Sequence, residues 1–181
     1  MERVGLTLPA WLDALNRQPR GFADEHAVMS FAIEVARQNI DHEGGPFAAV
    51  VVSNTLELVA VGANRVTDSR CSLWHAEMLA LAIAQKRLHT HDLETVGRHT
   101  LFSSCAPCAM CLGALPFSGI SGLCCAARSE DAEAIGFDEG DRPAHWAQTL
   151  HTRGISVKED LCRTQALEVF SLYRQRGGPI Y

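Results

Sequence analysis

The chain has 181 residues, 47% of them hydrophobic and 20% charged, with a formal net charge of −5 at pH 7. That is the composition of one globular domain, 1–181, with enough chain to bury a core. The negative balance opposes broad nucleic-acid binding, which needs a basic surface. No apolar run approaches the roughly 20 residues of a membrane span, and positions 1–5 lack the apolar core of a secretory signal.

Apolar spacing predicts a short outer helix over 5–20, stopped near Pro19, and a longer helix over 24–41 with Asp24 as its N-cap. Gly44-Gly45-Pro46 then leads into a continuous apolar run, 47–53, which reads as a central strand. Asn54-Thr55 marks a turn, and 57–66 reads as the hairpin partner. A loop over 67–73 precedes a helix over 74–88. Residues 92–98 form a polar connection, 99–104 a strand, 107–117 a helix and 120–126 a strand. A short helix over 129–135, with Ser129 as its cap, is followed by a loop over 136–140. The rest reads as a helix over 143–153, a strand over 155–157, a helix over 161–173 and a flexible, glycine-rich tail over 177–181. There is no internal repeat and no low-complexity segment. A hairpin followed by alternating strands and helices predicts a three-layer α/β/α sandwich with a mixed central sheet.

One split constellation stands out: His75-Ala76-Glu77, then Pro107-Cys108-Ala109-Met110-Cys111, about thirty residues further on. One histidine and two cysteines offer three ligands for a tetrahedral zinc and leave one position open. Structural zinc sites are usually closed by four protein ligands, so three ligands beside a glutamate suggest catalysis. Bound zinc lowers the pKa of water towards neutrality, and Glu77 is placed to move protons. Cys108 and Cys111 are three apart and share a helix face. Pro107 suits the first turn of that helix, and the positive helix end favours thiolate. The apolar run after His75 reads as a buried helix whose first turn carries His75 and Glu77. Taken alone, C-x-x-C is also a redox pair and H-x-E is uninformative; the two in this order are far more specific.

The seven cysteines are an odd number, and three crowd the proposed metal site. That opposes a secreted disulfide framework and fits a reducing cytoplasm. Cys124 and Cys125 read as plain core residues, and Cys105 as a buried thiol at a strand end.

The H-x-E…P-C-x-x-C pattern is a signature of zinc-dependent nucleobase deaminases. With the Gly44-Gly-Pro-Phe47 strand start and the strand order, the chain resembles the cytidine deaminase-like superfamily. The segment Gly136-Phe-Asp-Glu-Gly140, with Arg70-Cys-Ser and Cys125-Ala-Ala-Arg-Ser-Glu-Asp, makes it most similar to bacterial guanine deaminases. The resemblance runs from about residue 5 to the C-terminus. It implies a zinc enzyme that converts a free purine base, guanine, to xanthine and ammonia. Glu77 would act as general acid/base, with His75, Cys108 and Cys111 as ligands. It implies that Phe47 packs on the base, that Asn64 hydrogen-bonds it, and that Glu139 contacts the ring and helps move protons. The tail, with Tyr181, would close the pocket, commonly from a partner subunit of a domain-swapped homodimer.

Each of these residues has a structural alternative: Phe47 as the first core residue of its strand, Asn64 as a turn residue, Glu139 as one charge in an acidic loop. The chain departs from the family pattern at Ala106, where glutamate is usual, at Trp74, and at Phe117, which aligns with a tryptophan lining the family's pocket. Rival readings are a deaminase of another small ring (a triazine, a pterin or a nucleoside), a tRNA adenosine deaminase, and a zinc-stabilised binding domain. The acidic balance and the Gly-Phe-Asp-Glu loop oppose the tRNA reading; Glu77 opposes the last.

Overall fold

The computed structural model describes residue 5 and residues 7–181. Positions 1–4, where the sequence shows no secretory core, and residue 6, near the start of the first expected helix, lie outside the described residues.

The sheet begins with a hairpin. β1 (Ala48–Ser53) and β2 (Leu58–Ala63) pair antiparallel through the turn at Asn54-Thr55. β3 (His99–Cys105) pairs antiparallel with β1. β4 (Gly122–Ala127) and β5 (Ser156–Lys158) then add in parallel, giving the order β2-β1-β3-β4-β5. The sheet is mixed, as expected.

Strand alternation divides the apolar residues between two cores. Val50, Val52, Phe102 and Cys124 face one layer with α1 (Ala10–Arg17), α2 (Glu25–Asp41) and α8 (Arg163–Gln175). Ala49, Val51, Leu101, Leu123 and Cys125 face the other. That second layer holds α4 (Ala76–Arg87), α5 (Ala109–Ser118) and α7 (Trp146–Thr152). The short helices α3 (Val66–Ser69) and α6 (Ser129–Glu133) and a 3-10 turn at Leu93–Val96 complete the chain. This is the three-layer α/β/α sandwich. Among the described residues, no helix is long and apolar enough to cross a membrane.

Asp24 caps α2 as expected, accepting from the Ala27 amide at 2.8 Å. Several boundaries differ from the sequence expectation. β2 ends at Ala63, not 66, because the Asn64 side chain accepts from the Val66 amide and turns the chain into α3. Ser129 does not cap α6: it is the first helical residue, Arg128 is the cap, and the Ser129 hydroxyl has no partner. Pro107 lies before the N-cap of α5 instead of in its first turn, and His75 is the N-cap of α4, with Glu77 alone in the first turn. The last two helices start two to three residues late, at Trp146 and Arg163.

One close approach positions the site. A Cβ at Gly62 would lie 2.2 Å from the Ala76 carbonyl oxygen and 2.5 Å from the Ala80 amide nitrogen. Only glycine lets α4 settle this closely on β2, which brings the α4 N-terminus over the ends of β2 and β3.

Candidate active site

Two helix N-termini converge. His75 is the N-cap of α4 and Cys108 the N-cap of α5. Their exposed amide ends carry partial positive charge and favour anionic groups. Cys111, one turn into α5, is fully buried and faces the same point. His75 Nδ1 lies 3.5 Å from Cys108 Sγ and 3.6 Å from Cys111 Sγ. The three donor atoms all fall within 4.8 Å of one another.

That spacing is what a tetrahedral zinc demands. Bonds of about 2.0–2.1 Å to nitrogen and about 2.3 Å to sulfur put the two donors about 3.6 Å apart. The charges agree. Hydrogen bonds from Cys111 and His75 pull the Cys108 thiol down to about 4, against the opposing effect of burial. The Cys108 thiolate and burial push Cys111 up. For His75, burial works against the cation, but the hydrogen bond to Cys108 and the charges of Glu77 and Cys108 outweigh it and raise its pKa. Glu77 is raised by burial and then by Cys108. Crowded, mutually repelling anionic groups with soft donors are what a divalent cation stabilises. The donor set fits zinc.

A cavity of about 300 Å³ opens over this cluster. It lies at the small end of the roughly 300–1,000 Å³ range of ligand sites. Phe47, Asn64, His75, Glu77, Cys108, Glu139 and Tyr181 all line it, so seven of the expected site residues meet here. Glu139 is held in place by its backbone: its carbonyl accepts from the Ala109 amide at 2.9 Å, at the start of α5. Burial, then the negative charges of Cys108 and Glu77, push the Glu139 carboxyl up to about 8. Asn64 is buried, and its Oδ1 accepts from the Tyr181 hydroxyl at 2.6 Å and from the Val66 amide at 3.2 Å. Tyr181 thus reaches the cavity of its own chain.

Phe117 is a correction. It is 81% exposed and does not line the cavity. Leu115 of α5 is fully buried, and Phe117, two residues on, sits about 200° round the helix. It borders an outer groove with Leu112, Pro116 and Trp146. Cys105 lines the cavity at the end of β3 but stands outside the donor trio, its thiol directed to the Arg128 carbonyl at 3.5 Å. Cys124 and Cys125 are buried in β4. Ala106 lies buried in the cavity wall, and Trp74 packs half-buried against the core, accepting through its carbonyl from the Arg65 amide.

Sequence reasoning missed Phe137. Its ring meets Phe47 edge-on at 4.8 Å and Tyr181 edge-on at 5.3 Å, forming an aromatic wall. It sits in the Gly-Phe-Asp-Glu segment, where its loop position gave no periodicity to mark it as buried.

The model of the cytidine and deoxycytidylate deaminase zinc-binding region matches residues 23–127, which hold the whole donor trio. The chain belongs to this deaminase family. Among members, the guanine deaminase of Bacillus subtilis (strain 168) is 35% identical over 134 residues, 71% of this chain and 83% of the relative. A solved structure of guanine deaminase from Nitrosomonas europaea is 45% identical, with a TM-score of 0.94 over 96% of this chain and 97% of the other. A further structure, in complex with 2,6-diaminopurine, is 46% identical, with a TM-score of 0.95 over 99% of this chain and 96% of the other. As a zinc-binding deaminase, the chain is an aminohydrolase with zinc as its cofactor.

Proposed function

We propose that this deaminase hydrolyses the 2-amino group of free guanine: guanine and water give xanthine and ammonia. One observation carries the reading. The Glu139 and Glu77 carboxyls line one small cavity with His75 and Cys108 of the donor trio and an aromatic wall, in a chain similar over nearly its whole length to a guanine deaminase. The net charge of −5 and the cavity size support a free base over a polynucleotide.

His75, Cys108 and Cys111 would hold the metal. When bound, zinc supplies a Lewis acid and lowers the pKa of water. Glu77, a buried carboxyl with raised pKa, accepts a proton from the attacking water and delivers it to a ring nitrogen. Glu139, with its pKa near 8, exchanges a proton close to neutrality and helps protonate the departing amine. Phe47 and Phe137, in direct contact with each other, form one aromatic wall against which the ring packs. Asn64, whose Oδ1 is already engaged, offers its Nδ2 donors to an acceptor on the ring edge. The tail over 177–181 closes the site, with Tyr181 excluding water.

The reading extends to a single domain over 1–181, a cytoplasmic location and a homodimer. Seven free cysteines support the reducing compartment. The exposed Phe117 beside Leu112 and Pro116 supports self-association, which sedimentation would measure. Ammonia release from guanine, adenine, guanosine, cytosine, ammeline and tRNA, compared side by side, tests the substrate. Guanine is expected to lead; an inert guanine beside a rapid second ring would overturn the assignment.

A further inference from the structure

We infer that Asn39 is a positioning residue that holds Asn64 and Phe47 in register across the cavity. The inference rests on the reading of that cavity as a base-binding site. Asn39 lies near the end of α2, is fully buried and does not line the cavity. Its one amide joins three segments. Nδ2 donates to the Gly45 carbonyl at 2.8 Å and to the Asn64 carbonyl at 2.8 Å. Oδ1 accepts from Arg65 Nη1 at 2.9 Å.

Gly45 stands two residues before Phe47, and Asn64 directly follows β2. The same amide therefore spaces the two backbone segments that carry the ring-covering and edge-reading side chains. Two buried carbonyls from separate strand ends face each other here and need donors; no apolar residue at 39 could supply them. The turn has no slack. A Cβ on Gly44 would lie 2.2 Å from Asn39 Nδ2, and one on Gly45 would lie 2.0 Å from the Tyr181 hydroxyl and 3.1 Å from Asn64 Oδ1. The glycine pair is thus packed between Asn39 behind and the Asn64–Tyr181 pair in front. Arg65 extends the brace: it is buried, its Nη1 also donates to the His42 carbonyl at 3.0 Å, and its Nη2 pairs with Asp68 at 2.7 Å.

The test is a double-mutant cycle on the zinc-loaded protein. Asn39→Asp keeps the side chain's size and the acceptor facing Arg65 but removes both donors. It is expected to lower kcat/KM about 10- to 100-fold, the cost of a small misplacement, chiefly through KM and with zinc content unchanged. In an Asn64→Ala background the same change should cost at least about threefold less, because one of the two contacts it positions is gone while Phe47 remains. Asn16 is the control. It is also a buried asparagine, donating to the Leu12 and Val61 carbonyls at 2.9 Å, but it braces α1 against β2 outside the cavity wall. Asn16→Ala should lower Tm while acting equally in both backgrounds. Asn39→Ala, which leaves room for water, carries the cycle should Asn39→Asp not fold. The cycle is read both in kcat/KM and in the Kd of the base that the wild type deaminates fastest. Failure of guanine alone then refutes the substrate assignment and leaves the coupling measured. Full additivity of the Asn39 and Asn64 substitutions would overturn the inference.

Discussion

The Tyr181 hydroxyl donates a 2.6 Å hydrogen bond to Asn64 Oδ1, joining residue 181 to the end of β2. The Val66 amide donates to the same oxygen at 3.2 Å. With both lone pairs engaged, the Asn64 amide presents its nitrogen to the cavity and acts there as a donor. Tyr181→Phe keeps the edge-on contact with Phe137 but releases the amide. The expected result is a fall in kcat/KM of about fivefold to tenfold, one neutral hydrogen bond's worth. Deletion of residues 178–181 also removes the Tyr181 ring from the aromatic wall and should cost more, with zinc content unchanged. Unaltered kinetics after that deletion would show an ordinary frayed terminus.

Metal content tests the trio. Elemental analysis is expected to find one zinc per chain, and Cys108→Ala should lose most of it, since two donors remain of the three that meet within 4.8 Å. Chelation should abolish ammonia release, and added zinc should restore it. Full activity in a metal-free wild type would sink the assignment.

Glu77 is buried and lies two residues after His75, yet it is not one of the three clustered donors. Glu77→Gln should therefore retain both zinc and fold. Turnover should drop at least about 10²–10⁴-fold, the usual worth of a general acid/base. A variant with near-normal kcat would refute the proton-carrying role.

Glu139 should govern the choice of base. When ionised, its two carboxylate oxygens can accept from the N1–H and 2-amino groups of guanine. Adenine offers neither and would leave the buried carboxyl unpaired. Glu139→Gln is expected to lower kcat/KM for guanine about 10- to 100-fold and to narrow the guanine-to-adenine ratio. A preserved ratio would remove Glu139 from substrate selection.

Away from the cavity, Asp131 accepts two hydrogen bonds from Arg163, at 2.7 and 2.8 Å, and one from the Arg128 amide at 2.8 Å. Arg163 first, then the Arg128 amide, hold its carboxyl below the usual carboxylate range. A depressed folded-state pKa contributes stability that is present above the unfolded value of about 3.9 and is lost as pH falls through the folded value. Arg163 is partly exposed, so the contribution is discounted to about 1 kcal/mol. Asp131→Asn should lower Tm by about 2–4 °C at pH 7. The gap between variant and wild type should close below about pH 4. A gap independent of pH would mean that the carboxylate's charge is not what stabilises.

Much of this protein was legible in one dimension, because the relevant physics is local. The alternation of Val50 and Val52 with Ala49 and Val51 marks a strand buried on both faces. Asp24 marks a helix start, and His75, Cys108 and Cys111 announce zinc because ligand chemistry depends on residue type and spacing. The sheet's antiparallel hairpin and its parallel strands also follow from the order of strands and helices.

What only the tertiary structure decided is which side of each element faces the cavity. Phe117 aligned with a pocket residue, yet helical rotation carries it to the outer surface, while Phe137, in a loop with no period to read, turns inward to complete the aromatic wall. In the sequence, Asn39 is one polar residue near the end of a helix. Its role exists only because folding brings the Gly45 and Asn64 carbonyls, from the two strands at the open end of a hairpin, to the same amide. Hydrogen-bond satisfaction across distant segments is a property of three-dimensional packing, and no local pattern in the sequence encodes it.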